Sequence, residues 1–171
     1  MSISPSARFD IETLIAVAQP RRILLIGTPL INIADDYVSQ QAVLGVEIHV
    51  DTLHAHDWQT PLSLKTPYDL AVVSSVLETL EKPQGWQLLA SLRDQLSRQF
   101  CVHVVLDDLK ATSQWSLTDF LSMALIRVNQ YQAADSNSAL FKYSIDSYKR
   151  TPDWLNPNNW ANPELWGKYW W

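Results

Sequence analysis

Tyr68-Asp-Leu-Ala-Val-Val-Ser-Ser75 is a short, nearly continuous apolar run that ends on two small polar residues. Such a run suits a strand buried on both faces, as inside a parallel sheet. Downstream, Gly85 to Gln99 carries Leu88, Leu89, Leu92 and Leu96 on one helical stripe. Phe100 to Leu106 is β-rich and stops at Asp107 and Asp108. Ser116 to Val128 places Leu117, Leu121, Ala124, Leu125 and Val128 at helical spacing, and Ser116 with Asp119 forms a capping-box pattern. Ala139 to Ile145 reads as a last strand, antiparallel at one side of the sheet. Upstream, Thr52 to Pro67 reads as an ordered loop, and Val46 to Val50 as an alternating strand ending at Asp51. Leu30 to Leu44 is an amphipathic helix stopped by Gly45. Arg22-Ile-Leu-Leu-Ile-Gly27 is a second fully apolar strand. Ser6 to Ala18 is a helix that Ser6 caps and Pro20 follows. Strands alternating with helices predict an α/β layered domain with a mainly parallel sheet.

Composition narrows the function classes. The 171 residues hold 13 basic and 18 acidic side chains, a formal charge of −5. A general nucleic-acid binder needs a basic stripe to displace counterions, so that class is excluded. Apolar residues make up 47% and charged residues 18%, the balance of a folded globule. The longest apolar run, Arg22 to Ile31, is broken by Gly27, Thr28 and Pro29, and it is too short for a membrane span. Met1 to Asp10 carries no secretory pattern, and the single Cys101 fits a reducing compartment. A cytoplasmic location is the expectation.

Tyr-Asp-Leu-Ala-Val-Val-Ser-Ser-Val-Leu-Glu-Thr-Leu-Glu-Lys-Pro, from Tyr68 to Pro83, resembles the fourth-strand motif of class I S-adenosylmethionine-dependent methyltransferases. In that family an aromatic-Asp-Leu opens the strand, and a Leu-Glu-His-Leu segment leads through an acidic-Pro pair into the next helix. Leu77-Glu78-Thr79-Leu80 departs from it by Thr for His. The resemblance spans Arg22 to Asp108. It implies a single three-layer, Rossmann-like methyltransferase-type domain over residues 1–150, and the composition of 151–171 adds an irregular Trp-rich tail. It also implies S-adenosylmethionine as the cofactor, if there is one, and assigns roles to matching positions. Gly27 would let the cofactor approach bare backbone, and Asp51 would accept hydrogen bonds from its ribose. Asp57 in His56-Asp57-Trp58 would contact the adenine, and Ser74 and Ser75 would face the crevice at the carboxyl ends of the strands. Each position has a local alternative: a tight turn at Gly27, turn caps at Asp51 and Asp57, a helix cap at Ser74 and Ser75.

Two departures bear on that cofactor. The family's loop after the first strand is glycine-rich, whereas this chain has Gly27-Thr28-Pro29-Leu30-Ile31 with one glycine. Pro29 removes a donor, and Leu30 and Ile31 put bulk where the ligand would lie. Only 17 residues separate Asp51 from Asp69, too few for the helix, strand and helix the family places there. The reading is a divergent, methyltransferase-like protein with weakened or lost cofactor binding, acting as a non-catalytic binding protein. The alternative is an active S-adenosylmethionine-dependent methyltransferase. No catalytic residue is assigned.

Other constellations are weaker. His49, Asp51, His54, His56 and Asp57 are metal-ligand types, but without a fourth partner at suitable spacing they read as a solvated loop, and no metal is expected. Cys101 reads as a buried, inert thiol. No Gly-x-Ser-x-Gly or Walker loop occurs. The tail is the most unusual segment: five of the eight tryptophans fall in its last 18 residues. Trp154-Leu-Asn-Pro-Asn-Asn and Trp160-Ala-Asn-Pro-Glu-Leu are tandem hexads, and Trp166 opens a third that fails. So much indole surface calls for cover. Either the tail latches onto its own domain, even onto the cofactor crevice, or Trp160, Trp166, Trp170 and Trp171 anchor a protein partner.

Overall fold

The computed structural model describes residues 3–27, 30, 32–55, 57–58, 67–106, 115–133, 136–145, 158, 162–165 and 168. Thr28, Pro29, Ile31, His56, Asp107, Asp108 and the tail residues Trp154, Trp160, Trp166, Trp170 and Trp171 lie outside them. Six strands form one sheet: β1 (Arg22–Ile26), β2 (His49–Leu53), β3 (Tyr68–Ser74), β4 (Ser97–Val105), β5 (Ile126–Ala133) and β6 (Ser136–Ser144). Their order is β2-β1-β3-β4-β6-β5. The first four are parallel, and β6 runs antiparallel to both β4 and β5.

The apolar runs at β1 and β3 do what two-sided burial requires. Ile23, Leu25, Leu70 and Val72 enter one core cluster, while Leu24, Ile26, Ala71 and Val73 enter the other. Helices α1 (Pro5–Ala18) and α2 (Asp35–Val43) cover the first face. Helices α3 (Lys82–Ser91) and α4 (Leu117–Ser122) cover the second. The result is the three-layer α/β architecture predicted from the alternation. In α1, Ala7, Ile11 and Ile15 lie on one stripe and are fully buried.

Several boundaries move, each for a physical reason. Ser4, not Ser6, caps α1, with its Oγ accepting from the Ala7 N–H. The second helix starts at Asp35 rather than Leu30, because Asn32 takes a left-handed φ of 63° that no helix tolerates. Leu30, Ile33 and Ala34 are buried all the same, so their spacing reported burial and not helix. Asp51 does not end the second strand. Pairing with β1 carries β2 on to Leu53 and leaves Asp51 in its middle. The third helix begins at Lys82, with Pro83 in the first turn where a missing N–H costs nothing. It gives way to a π-helical turn at Leu92–Leu96, and β4 starts at Ser97.

The largest correction lies after Ser116. The capping box is present, with the Asp119 carboxylate receiving the Ser116 N–H at 2.7 Å. The helix nevertheless stops at Ser122, Ala124 turns left-handed at φ 63°, and Ile126 opens a strand. Leu117 and Leu121 on the supposed core stripe are 46% and 53% exposed, and Phe120 is the residue α4 buries. The last strand, β6, lies inside the sheet between β4 and β5 rather than at its side.

Replacing Ile15 by Ala leaves a cavity between α1 and the sheet. It is expected to lower the unfolding free energy by about 2–5 kcal/mol, measured by urea titration.

Candidate functional site

The chain leaves β1 through α2 to reach β2 on one side, and β3 lies on the other. Open α/β sheets bind ligands at this switch point, beyond the carboxyl ends of the strands. Gly27, Ser74 and Ser75 meet there. Gly27 has a φ of 113° and donates its N–H to the Leu53 carbonyl at 3.0 Å. A Cβ on Gly27 would stand 2.0 Å from the Ser74 carbonyl oxygen. The bare backbone is therefore used for contact between strand ends. Ser75 holds a left-handed φ of 55°, rare outside glycine and asparagine, and turns the chain out of β3. Neither serine caps the next helix, whose N-cap is Glu81.

The side chains of Ser74 and Asp51 are engaged by the protein. Ser74 is fully buried, and its Oγ lies 3.0 Å from His103 Nδ1 on the neighbouring strand. His103 is 3% exposed, and among the described residues its Nε2 has no hydrogen-bond partner. Burial pushes the imidazole pKa from 6.5 down to about 4, so the ring is neutral near pH 7. Asp51 Oδ2 accepts from the Tyr68 hydroxyl at 2.5 Å and lies 3.1 Å from His49 Nε2. Burial, and then this bond to Asp51, raises the Tyr68 hydroxyl well above the usual phenol range. The Arg22 guanidinium lies over the same ring, 4.8 Å from its centroid. Asp57 stands exposed in a turn where its N–H meets the His54 carbonyl, beside Trp58, which inserts into the core. Leu30 is buried in the cluster beneath α1 and α2.

Glu78 of the Leu-Glu-Thr-Leu segment accepts the Val105 N–H at 2.6 Å, tying the turn after β3 to the end of β4. Leu77 and Leu80 enter the core. Among the described residues no three His, Cys, Asp or Glu side chains gather as a metal site requires. Cys101 is buried, and burial lifts its thiol pKa to about 12, which makes it a poor nucleophile near neutral pH. The sequence reading missed His103 and Tyr68 as partners. The available signal was a lone histidine inside the apolar run Cys101-Val-His-Val-Val105.

Two measurements check this geometry. Below its ordinary pKa of 6.5, His103 takes a proton in the unfolded chain, but it does so in the fold only near 4. Its contribution is whole above 6.5 and falls as the pH drops toward 4, by on the order of 3 kcal/mol. Urea titrations across that window are expected to show this extra loss in the wild type and not in His103→Gln. Gly27→Ala forces a Cβ onto a backbone oxygen at a positive φ. It is expected to abolish cooperative melting or lower Tm by more than ten degrees, on the order of the steepest single-residue costs.

Comparison with solved structures shows what this arrangement is similar to. Magnesium protoporphyrin IX methyltransferase from Synechocystis PCC 6803, with bound SAH, superposes with a TM-score of 0.56 at 12% identity, covering 80% of this chain and 81% of that one. The methyltransferase domain of bacterial CtHen1-CN gives 0.51 at 10% identity, over 80% of this chain and 97% of its own. The N-terminal domain of EvdMO1, in the presence of SAH and D-fucose, gives 0.50 at 10% identity, over 83% and 84%. At such identities the shared property is the fold, a Rossmann-like α/β sheet of the methyltransferase type. No curated protein matches the sequence. No helix among the described residues is long and apolar enough to cross a membrane. Residues 5–171 match one family profile along nearly the whole chain, and the protein belongs to that family of unknown function, DUF6231.

Proposed function

We propose that this methyltransferase-like protein has a weakened or lost cofactor site and acts by binding rather than by methyl transfer. One observation carries the reading: two of the polar groups that would hold the cofactor, the Asp51 carboxylate and the Ser74 hydroxyl, already have protein partners. The Asp51 carboxylate is shared by Tyr68 and His49, and the Ser74 hydroxyl is buried against His103. Releasing either would break a hydrogen bond and leave a partly or fully buried partner unsatisfied, a cost of about 1–3 kcal/mol each. The close approach that Gly27 permits is taken up by the Ser74 carbonyl. These residues do not fit S-adenosylmethionine as they stand. The tail would supply the binding element through Trp160, Trp166, Trp170 and Trp171, since tryptophan dominates interface hot spots.

The second reading, S-adenosylmethionine-dependent transfer, is favoured by the meeting of Gly27, Ser74 and Ser75 at the switch point and by the likeness to a SAH-bound methyltransferase. Thermal melting with millimolar S-adenosylhomocysteine separates the two. A ligand at 100 times its Kd adds about 2.7 kcal/mol, a shift of several degrees for a chain this size. The expected result is an unchanged Tm for the wild type and Asp51→Ala alike. A clear shift that vanishes in Asp51→Ala overturns the proposal in favour of transfer.

A further inference from the structure

A cavity of about 430 Å³ opens between α4 and the β5–β6 hairpin, beyond the carboxyl end of β4. It exists because α4 is short. Six helical residues extend about 9 Å, whereas the nine residues of β6 run about 30 Å. Much of that sheet face is therefore uncovered by the helix. One wall is aromatic: Trp115 stacks on Phe120 with ring centroids 5.3 Å apart, and Phe120 on Phe141 at 4.3 Å. Gly85 of α3 seats the stack, since a Cβ there would meet the Trp115 ring at 2.6 Å. Trp115 is 7% exposed, and among the described residues its Nε1–H has no hydrogen-bond partner. A buried indole donor ordinarily finds an acceptor.

The strand beside that wall is polar, and a β-bulge makes it so. Between Arg127 and Asn129 the pairing with β6 shifts register. A bulge changes the phase of a strand's side chains. Arg127, paired with Phe141, and Gln130 and Gln132, paired with Ala139 and Asn137, therefore line the same cavity. Asn129 and Tyr131 turn to the other face and both bond Asp10 of α1. Arg127 donates one N–H to Gln130 Oε1 at 3.2 Å, and no acidic side chain lines the cavity among the described residues. A guanidinium on the strand beside a stacked aromatic wall suits a planar ring that carries an anion. The volume suits a ring system of bicyclic size.

We propose that this cavity is a binding site for a planar aromatic carboxylate, with the ring on the Trp115–Phe120–Phe141 wall and the carboxylate toward Arg127. Its β6 and β5 walls stand three and four strands along the sheet from β1 and Gly27, and the proposal does not depend on the function proposed above. Ligand-observed NMR on the full chain tests it with 2-naphthoate and its cationic isostere 2-naphthylmethylamine. Expected are naphthoate binding in the millimolar range or tighter, about tenfold weakening in Arg127→Gln, at least as large a preference over the amine, and loss of binding in Gln132→Trp, which fills the cavity from its exposed wall. Thermal melting checks that both variants fold. No naphthoate binding by the wild type at millimolar concentration overturns the proposal. So does equal binding by the amine, by Arg127→Gln, or by a folded Gln132→Trp.

Discussion

The meeting of the carboxyl ends of β1 and β3 sets the conditions for most of this molecule. Gly27 has no side chain, and the space a Cβ would need is taken by the Ser74 carbonyl. With β1 so close to β3, the apolar residues of both strands are sealed from water on each side. The same approach leaves Ser74 with its hydroxyl inside the sheet layer, where His103 on β4 is the partner its register provides. Ser75 then turns left-handed, which aims Val76, Leu77 and Leu80 into the opposite core cluster and lets Glu78 reach the Val105 N–H. A single missing methyl group thus links the central strands, the buried Ser–His pair and the turn into α3.

A second constraint operates at the far side of the sheet. The bulge in β5 divides that strand between two tasks. Asn129 and Tyr131 join Asp10 on α1, which closes one layer, while Arg127, Gln130 and Gln132 stand over the aromatic stack on the other. The stack is continuous from α3 to the sheet, with Trp86 on Trp115, Trp115 on Phe120 and Phe120 on Phe141. Lys82 supports it from above, bonded to Asp119 at 2.9 Å and lying over the Trp115 ring. Helix α4 is too short to be stable alone, so its capping box and this packing hold it. The local chemistry of Ser116 and Asp119 and the long-range contact of Lys82 therefore meet in one carboxylate.

The layer architecture was legible because burial on two faces leaves a local signature. Arg22–Gly27 and Tyr68–Ser75 read as buried strands, and the strands run from Arg22 to Ile26 and from Tyr68 to Ser74. Boundaries failed where a single residue's backbone overrode a periodic pattern, as at Asn32 and Ala124. The stripe from Leu117 to Val128 had helical spacing, but at its end Ile126 and Arg127 pair with Lys142 and Phe141 of β6, 16 and 14 residues downstream. Periodicity within one segment carries no information about such a partner. The candidate site was legible in part. Gly27, Ser74 and Ser75 meet at the carboxyl ends of β1 and β3, yet the engagement of Asp51 by Tyr68 spans 17 residues and that of Ser74 by His103 spans 29.

Residue types alone determined the class of the protein: an acidic α/β domain with apolar central strands, one shielded thiol and a tail rich in indole. Hydrophobicity and backbone preference act within a few residues, and these properties need nothing more. Tertiary structure alone decided which polar groups are already satisfied and where space remains. A carboxylate in a sequence looks available whether or not a phenol from another strand lies 2.5 Å away. A cavity is a relation among three elements, here a short helix, a bulged strand and its hairpin partner. Hydrogen bonding and excluded volume are fixed by distance in space, and the order of residues along the chain does not contain that distance.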